Sequence, residues 1–259
     1  TLDYAVCNWL LPANSGMQFC MSCGLNEIIP NLGEPANIAL WQRLESAKRR
    51  LLYTLLGMQL DFLGSENTPS LRFRFLEDKR RNPQALEDFV ATGHLAGTIT
   101  INVAEADNVT RTEQREFMQE RYRTLLGHFR HESGHFYFEQ LITSPKVLRE
   151  WRAIFGDERV DYALRLEEHY RDGPPPGWEH NFVSAYAAAH PHEDWAESFS
   201  HYLHIIDALE TMRLAFAAED ASNFVDDFSG RQRAFGLFAA GNDELHFLAG
   251  LRSGNSNAS

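Results

Sequence analysis

The sequence predicts a mainly helical α+β fold with one small sheet. Apolar residues recur at helical spacing in several segments, whereas residues 97–104 alternate polar and β-branched side chains as a half-buried strand does. The length of 259 residues suits one large globular domain, or one domain with a small appendage. A hydrophobic fraction of 44% and a charged fraction of 23% are typical of globular proteins, and they exclude disordered and collagen-like classes.

The first half of the chain contains the predicted strand and one predicted helix. Residues 1–30 show no helical period and contain all three cysteines. From Pro35 to about Gly57, apolar residues recur at helical spacing, with Lys48, Arg49 and Arg50 on another face. Residues 61–95 mix apolar and polar segments and are not assigned to a helix or strand, and the strand at 97–104 follows them.

The second half is predicted to be helical. A long helix is expected from about Thr112, whose hydroxyl can cap it, to Leu141. Glycines and prolines at 173–177 form a firm break in the pattern. The remaining helices are expected at residues 147–155, 160–170 and 193–216, and the low-complexity segment 253–259 is predicted to be a disordered tail.

Charge and hydropathy exclude several classes of function. The net charge is −12, from 36 acids against 24 bases, whereas a phosphate-binding surface needs an excess of basic residues. No stretch approaches the roughly 20 apolar residues of a membrane-spanning helix. No signal peptide is visible either. We therefore expect a cytoplasmic protein that binds neither nucleic acid nor membrane, and the sequence does not indicate its oligomeric state.

Histidines are concentrated in one part of the chain, and two of them form the sharpest motif. Nine of the 11 histidines fall between His128 and His204. Residues His131-Glu132-Ser133-Gly134-His135 match H-E-x-x-H, which on a helix presents both imidazoles on one face to a single metal ion. Glu132 is then placed to take a proton from the water that the ion activates. The alternative is an ordinary helix with two surface histidines.

A catalytic zinc has three protein ligands, so a third is expected downstream. Pro191 suits the start of a helix on which Glu193, Glu197 and His201 follow at intervals of four residues, on one stripe. Trp195, which lies between the two acids, indicates that this stripe is not simply a solvated face. Either Glu193 or Glu197 could complete the site.

H-E-x-x-H followed by a helical glutamate resembles the gluzincin class of zinc metallopeptidases. The spacing of Tyr186, Glu193 and Glu197 is similar to that in the peptidase domain of anthrax lethal factor. This resemblance implies that Glu193 is the third zinc ligand and that Tyr186 donates a hydrogen bond to the tetrahedral oxyanion. It also implies that Glu197 does not bind the ion itself, and that its carboxylate orients one of the ligand histidines. Glu197 as the ligand itself is the competing assignment, and the tyrosine spacing favours Glu193. His201 is expected to be an electrostatic helper.

A denser resemblance runs from about residue 5 to about residue 212. It is to a bacterial family of zinc-binding metallopeptidases with an N-terminal zinc ribbon, and it is carried by residues 7–12, 29–32, 45–51, 92–94, 99–107, 122–132, 155–159 and 190–197. The resemblance implies a zincin-like fold, with a partial ribbon at 1–33 and a metallopeptidase domain at 34–252. The residues after about 212 are left unassigned by this resemblance.

The cysteines match that ribbon incompletely. Cys20 and Cys23 form a C-x-x-C pair, which is typical of one half of a zinc ribbon, and Cys7 is a candidate third ligand. A structural site normally has four ligands, and the family has further cysteines upstream, which this chain would then lack. A second, structural zinc ion is one interpretation, and three reduced thiols in a loop are the other.

Two more features have both a functional and an ordinary interpretation. Peptidases of this class present an edge strand to the substrate backbone, and the strand at 98–103 is the candidate. Its polar side chains (Thr98, Thr100 and Asn102) and Glu105 would then meet the substrate. His128 is expected to be a helix-packing or outer-shell residue, because pairing it with His131 as a ligand would leave Glu132 without a role.

Together these features predict a zinc metallopeptidase that hydrolyses peptide or protein substrates, with Glu132 and Tyr186 as its catalytic residues. One alternative is a zinc-dependent binding or scaffold protein with a non-catalytic metal site. The other is an amidase that acts on a modified peptide, because the same residues would serve that reaction.

Overall fold

A computed structural model describes residues 4–66, 68–107 and 124–215. The chain divides into two compact units, the first within residues 1–56 and 61–136 and the second within residues 57–60 and 137–259. The predicted tail at 253–259 lies outside the described residues. None of the described helices combines the length and the apolar character that crossing a membrane requires.

The first unit contains a four-stranded mixed sheet. Its strands are β1 (Asn26–Ile28), β2 (Arg72–Leu76), β3 (Gly93–Leu95) and β4 (Thr98–Asn102), in the order β1-β2-β4-β3. β2 is parallel to both β1 and β4, and β3 is antiparallel to β4. The strand predicted at 97–104 is confirmed as β4. β1 and β3 have three residues each, which is too short for the alternation of side chains to be recognisable. β2 alternates buried and more exposed residues over five positions, and the sequence reasoning missed it.

Helix α1 (Pro35–Gly57) also belongs to the first unit, and it confirms the predicted helix. Lys48, which the helical spacing places on a face other than the apolar one, is an interior residue. Its side chain is fully buried, forms a 2.9 Å ion pair with buried Glu45, and lies over the rings of Phe73 and Phe75 at 5.4 and 5.7 Å. Burial lowers the pKa of Lys48, and the charge of Glu45 opposes that shift.

Helix α2 (Leu125–Leu141) contains the H-E-x-x-H motif. Its residue Phe129 is fully buried and packs on Phe73 and Phe75 of β2, with ring centroids 5.8 and 6.1 Å apart. This aromatic contact fixes the helix on the sheet two residues before His131. The earlier part of the predicted helix, with its proposed cap Thr112, lies outside the described residues.

The described part of the second unit contains three further α-helices, each close to its predicted range: α3 (Pro145–Phe155), α4 (Tyr162–Asp172) and α5 (Pro191–Ala215). Side chains of Ser144 and Asp161 cap α3 and α4 by accepting backbone N–H groups, as helix starts require. An aromatic cluster joins the last turns of α2 to α3 and α5 in the core of this unit, and its rings are those of Tyr137, Phe138, Trp151, Phe155, Trp195 and Phe199.

Candidate metal centre

The two motif histidines meet at one point on the surface of α2. The Nε2 atoms of His131 and His135 are 3.2 Å apart, and the ring centroids are 5.0 Å apart at an interplanar angle of 75°. Both side chains are partly exposed, whereas Glu132 between them is 9% exposed. Residues four apart share a face of an α-helix, so the backbone alone brings these imidazoles together.

Helix α5 contributes Glu193 from its first turn. This residue is fully buried, and its Oε1 accepts a 2.7 Å hydrogen bond from the hydroxyl of Tyr162. A carboxylate in the first turn of a helix is stabilised by the positive end of the helix dipole. Glu193 therefore has local support for carrying a negative charge while buried.

One ligand atom from each of His131, His135 and Glu193 lies within 4.8 Å of the other two. In a tetrahedral zinc site, ligand atoms about 2.0–2.1 Å from the ion are about 3.3 Å from one another. The separations therefore need only a small closing movement to suit zinc. Two imidazoles and one carboxylate are also a donor set that catalytic zinc sites use, with the fourth position left for water.

Tyr186 lies in a short 3-10 helix, Tyr186–Ala189, just before α5. Burial raises the pKa of Tyr186 well above its usual value, and the charge of Glu193 and the neighbouring hydroxyls of Tyr162 and Tyr170 raise it further. A tyrosine with a raised pKa keeps its proton at neutral pH. Its hydroxyl can therefore donate a hydrogen bond.

Glu197 lies one turn after Glu193 and contacts the loop that contains Tyr186. Its Oε2 accepts a 2.6 Å hydrogen bond from the hydroxyl of Ser184, whose oxygen accepts the N–H of Ala187 at 3.0 Å. The Nδ1 of His201 donates to the backbone carbonyl of Glu197 at 2.9 Å. The roles given to Glu197 and His201 beside a metal stay predictions.

His190 joins the start of α5 to the segment before α4. Its Nδ1 accepts the N–H of His192 at 3.1 Å, so its Nε2 carries the proton that is donated to the carbonyl of Val160 at 3.2 Å. Burial lowers the pKa of His192, and the adjacent His190 contributes to the same shift. Both histidines have structural partners.

The expected substrate-facing side of β4 is corrected in two respects. β4 lies between β2 and β3, so among the described residues β3 is the outer strand on that side of the sheet. Asn102 is 4% exposed and donates to Asp78, while Glu105 is 6% exposed and is hydrogen-bonded to His128 and Thr92. Asn102 and Glu105 therefore hold the interior together. The bond from Glu105 to His128 agrees with the packing role expected for that histidine.

Tyr162 is the residue at this centre that the sequence reasoning missed. It is the first residue of α4, and it is 31 positions before the carboxylate that it contacts. A tyrosine at a helix start has many ordinary explanations, so no local signal distinguishes it. Only the packing of α4 beside the start of α5 reveals the contact.

A second group of potential metal ligands lies in the N-terminal segment. One sulfur from each of Cys7, Cys20 and Cys23 lies within 4.8 Å of the others, and the sulfurs of Cys7 and Cys20 are 3.4 Å apart. Burial tends to raise the pKa of Cys7, but the N–H of Trp9 and the two thiols outweigh it, so the pKa is lowered. Burial and the neighbouring thiols raise the pKa of Cys23. The three cysteines thus form the ligand group that the C-x-x-C spacing predicts.

Comparison with known proteins gives two family matches. Residues 37–236 match a family described as "Putative zinc-binding metallo-peptidase", and residues 1–34 match a zinc-ribbon domain. The N-terminal match covers the cysteine group, and the longer match covers both motif histidines and Glu193.

Three curated relatives are similar over most of the chain. They are uncharacterized proteins, one from Mycobacterium bovis and two from strains of Mycobacterium tuberculosis. Each is 45% identical over 226 residues, which is 86% of this chain and 64% of the relative. The chain thus spans less than two thirds of the length of these relatives. No solved structure matches the chain.

Proposed function

Because this chain belongs to the family of zinc-binding metallopeptidases, we propose that it is a zinc-dependent enzyme that hydrolyses peptide bonds. One observation carries the proposal. The two histidines of the H-E-x-x-H motif converge on one face of α2, and Glu193 supplies the third donor of a group that suits catalytic zinc.

His131, His135 and Glu193 would hold the ion. Zinc in such a site supplies Lewis-acid chemistry, because it lowers the pKa of water from 15.7 to about 7 and polarises a carbonyl. Two neutral imidazoles and one carboxylate leave a net positive charge on the ion. This charge favours the electron-rich transition state of hydrolysis.

Glu132 is the proposed general base and acid. It follows His131 directly on α2 and is nearly buried, and in the H-E-x-x-H motif the glutamate at this position serves as the general base. It would accept a proton from the attacking water and deliver that proton to the leaving amine. A well-placed group of this kind contributes about 10²- to 10⁴-fold to the rate.

Tyr186 is the proposed donor to the oxyanion. A tyrosine hydroxyl is protonated at neutral pH, as donation to a developing negative charge requires, and the raised pKa of Tyr186 keeps it protonated at higher pH as well. The loss of one such donor costs about 3–4 kcal/mol of transition-state stabilisation in other enzymes.

The proposed substrate is an extended peptide that adds to the outer side of β3. This strand pairs with β4 on its inner side, and Leu95 on it is 80% exposed. His94 of β3 contacts Phe136, the residue after His135, with ring centroids 6.0 Å apart. A peptide paired with β3 would therefore run close to the motif helix.

The decisive experiment compares Glu132→Gln with the wild-type protein. Both are loaded with zinc, checked for metal content and tested against a peptide library. We expect unchanged zinc content and a loss of activity of at least about 100-fold in the variant. Glu139→Gln, the same change at an exposed position of α2, is the matched control and should cleave like the wild type. Full activity of Glu132→Gln would refute the mechanism.

A further inference from the structure

The hydroxyl of Tyr162 donates a hydrogen bond to the carboxylate of Glu193. The distance between the Tyr162 hydroxyl and Oε1 is 2.7 Å, which is the usual length for an O–H donor and an oxygen acceptor. Tyr162 is 43% exposed, whereas Glu193 is fully buried. A partly solvated residue therefore holds one oxygen of a buried carboxylate.

Three further contacts fix Tyr162 in place. The side chain of Asp161 caps α4 by accepting the N–H of Leu164 at 2.9 Å, which defines the first turn. The ring of His190 lies against the ring of Tyr162, with centroids 5.0 Å apart and an angle of 74° between the planes. The same imidazole holds the carbonyl of Val160, two residues before Tyr162, at 3.2 Å. The ring of Tyr162 thus contacts His190, and the backbone on either side of it is held by Asp161 and His190.

A carboxylate can bind a metal ion through one oxygen or through both. Because Oε1 accepts the hydrogen bond from Tyr162, the carboxylate can bind an ion through Oε2 without giving up that bond. A single oxygen from Glu193 gives the four-coordinate geometry that leaves one position for water. Both oxygens together would fill that position and crowd the site.

We propose that Tyr162 is a positioning residue which holds Oε1 of Glu193, so that this carboxylate binds the ion through Oε2 alone. The proposal rests on the proposed function, because it assumes a metal ion at His131, His135 and Glu193. It adds a residue that the motif does not include and assigns α4 a part in the site.

The test measures zinc affinity of the full chain by competition with a chelator. Tyr162→Phe removes the hydroxyl and keeps the ring contact with His190. Outer hydrogen-bond partners of metal ligands contribute about 10- to 100-fold to metal affinity, so we expect binding at the histidine site to weaken at least about 10-fold. The cysteine group is the internal reference, and its zinc affinity should not change.

Tyr170→Phe is the matched control. It removes a hydroxyl from the same helix, but from a hydrogen bond with Tyr186. We expect its zinc affinity to stay within about twofold of the wild type. Equal losses in Tyr162→Phe and Tyr170→Phe, or no loss in Tyr162→Phe, would overturn the positioning role.

A crystal structure of the zinc-loaded wild-type protein decides the question without any variant. We expect Oε2 of Glu193 as the ligand and the hydroxyl of Tyr162 still bonded to Oε1. Coordination through both oxygens, or through Oε1, would overturn the proposal even if Tyr162→Phe does not fold. A wild-type protein that takes up no zinc at the histidines would instead refute the proposed function itself, so the two failures are distinguishable.

Discussion

Asp78 shows how much of the interior can depend on one carboxylate. Its side chain is 1% exposed, and Oδ2 accepts hydrogen bonds from Val90 N–H at 3.1 Å and from Asn102 at 2.8 Å, in addition to the guanidinium of Arg80. Burial alone would raise the pKa of Asp78, but these donors outweigh burial and lower the pKa to about 2. The carboxylate therefore ties the segment after β2 to the end of β4.

This lowered pKa predicts how stability depends on pH. The ordinary pKa of the group is 3.8 and its value in the folded protein is about 2, so its contribution is complete above about pH 4 and is lost as the pH falls towards 2. We expect Asp78→Asn to lower the free energy of unfolding by about 2 kcal/mol at neutral pH. The difference from the wild type should shrink between pH 4 and pH 2, as measured by urea unfolding.

Asp88 offers the control for that measurement. It lies in the same segment, its side chain is 88% exposed, and it pairs with Lys79 at 2.6 Å. Exposed ion pairs contribute little, so Asp88→Asn should change the unfolding free energy by less than about 1 kcal/mol. If both variants lose a similar amount of unfolding free energy, the buried hydrogen bonds of Asp78 contribute no more stability than an exposed ion pair.

The structural roles of single residues differ in how well they can be predicted from the sequence. His131 and His135 are recognisable because helix geometry alone fixes the relation between positions four apart. Lys48 is also on a helix, but its burial depends on Glu45 and on two rings from a distant strand, which helical spacing cannot show. Tyr162 is unrecognisable in the sequence for the same reason.

At the scale of elements, the β3–β4 hairpin is held by a tight turn with an unusual residue. Leu95 pairs with Thr98, and the two residues between them, Ala96 and Gly97, have φ angles of 48° and 86°. Positive φ at both central positions is typical of a type I′ turn. Glycine adopts this conformation freely, whereas alanine does so only with strain of about 1 kcal/mol.

Ala96→Asn is therefore predicted to stabilise the protein. Asparagine tolerates positive φ, and Asn-Gly is the preferred pair for this turn, so we expect an increase of about 0.5–1 kcal/mol in the free energy of unfolding. Ala96→Val tests the reasoning from the other side, because a β-branched residue should be destabilising at the same position. Thermal and urea unfolding of the two variants measure both effects. Destabilisation by Ala96→Asn would contradict the turn assignment.

Whole elements were predictable in proportion to their length. α1 and α3 to α5 each span three turns or more, so the helical period is visible within the segment itself. β4 was recognisable from its alternating β-branched residues. β1 and β3 have three residues each, and the place of β1 in the sheet is decided by a partner strand up to 47 positions away, as in the pair of Asn26 and Phe73.

At the scale of the whole molecule, the described residues contain two groups able to hold a metal ion. We predict two zinc ions per chain. His135→Ala should lose the zinc of the histidine group and the peptidase activity with it, whereas Cys20→Ser should lose only the other ion. Metal analysis by plasma emission after dialysis, with parallel peptide assays, measures both. Retention of two zinc ions by either variant would show that the corresponding group does not bind zinc.

The sequence by itself determined the class of fold, the motif helix, both groups of candidate ligands and the family. All of these depend on local spacing along a helix or a loop, or on residue patterns that persist in the chain. The tertiary structure decided that β3 is the outer strand, that Lys48 and Glu105 are interior residues, and that Tyr162 holds Glu193. Each of these depends on contacts between segments far apart in the chain, and such contacts leave no periodic signal in either segment.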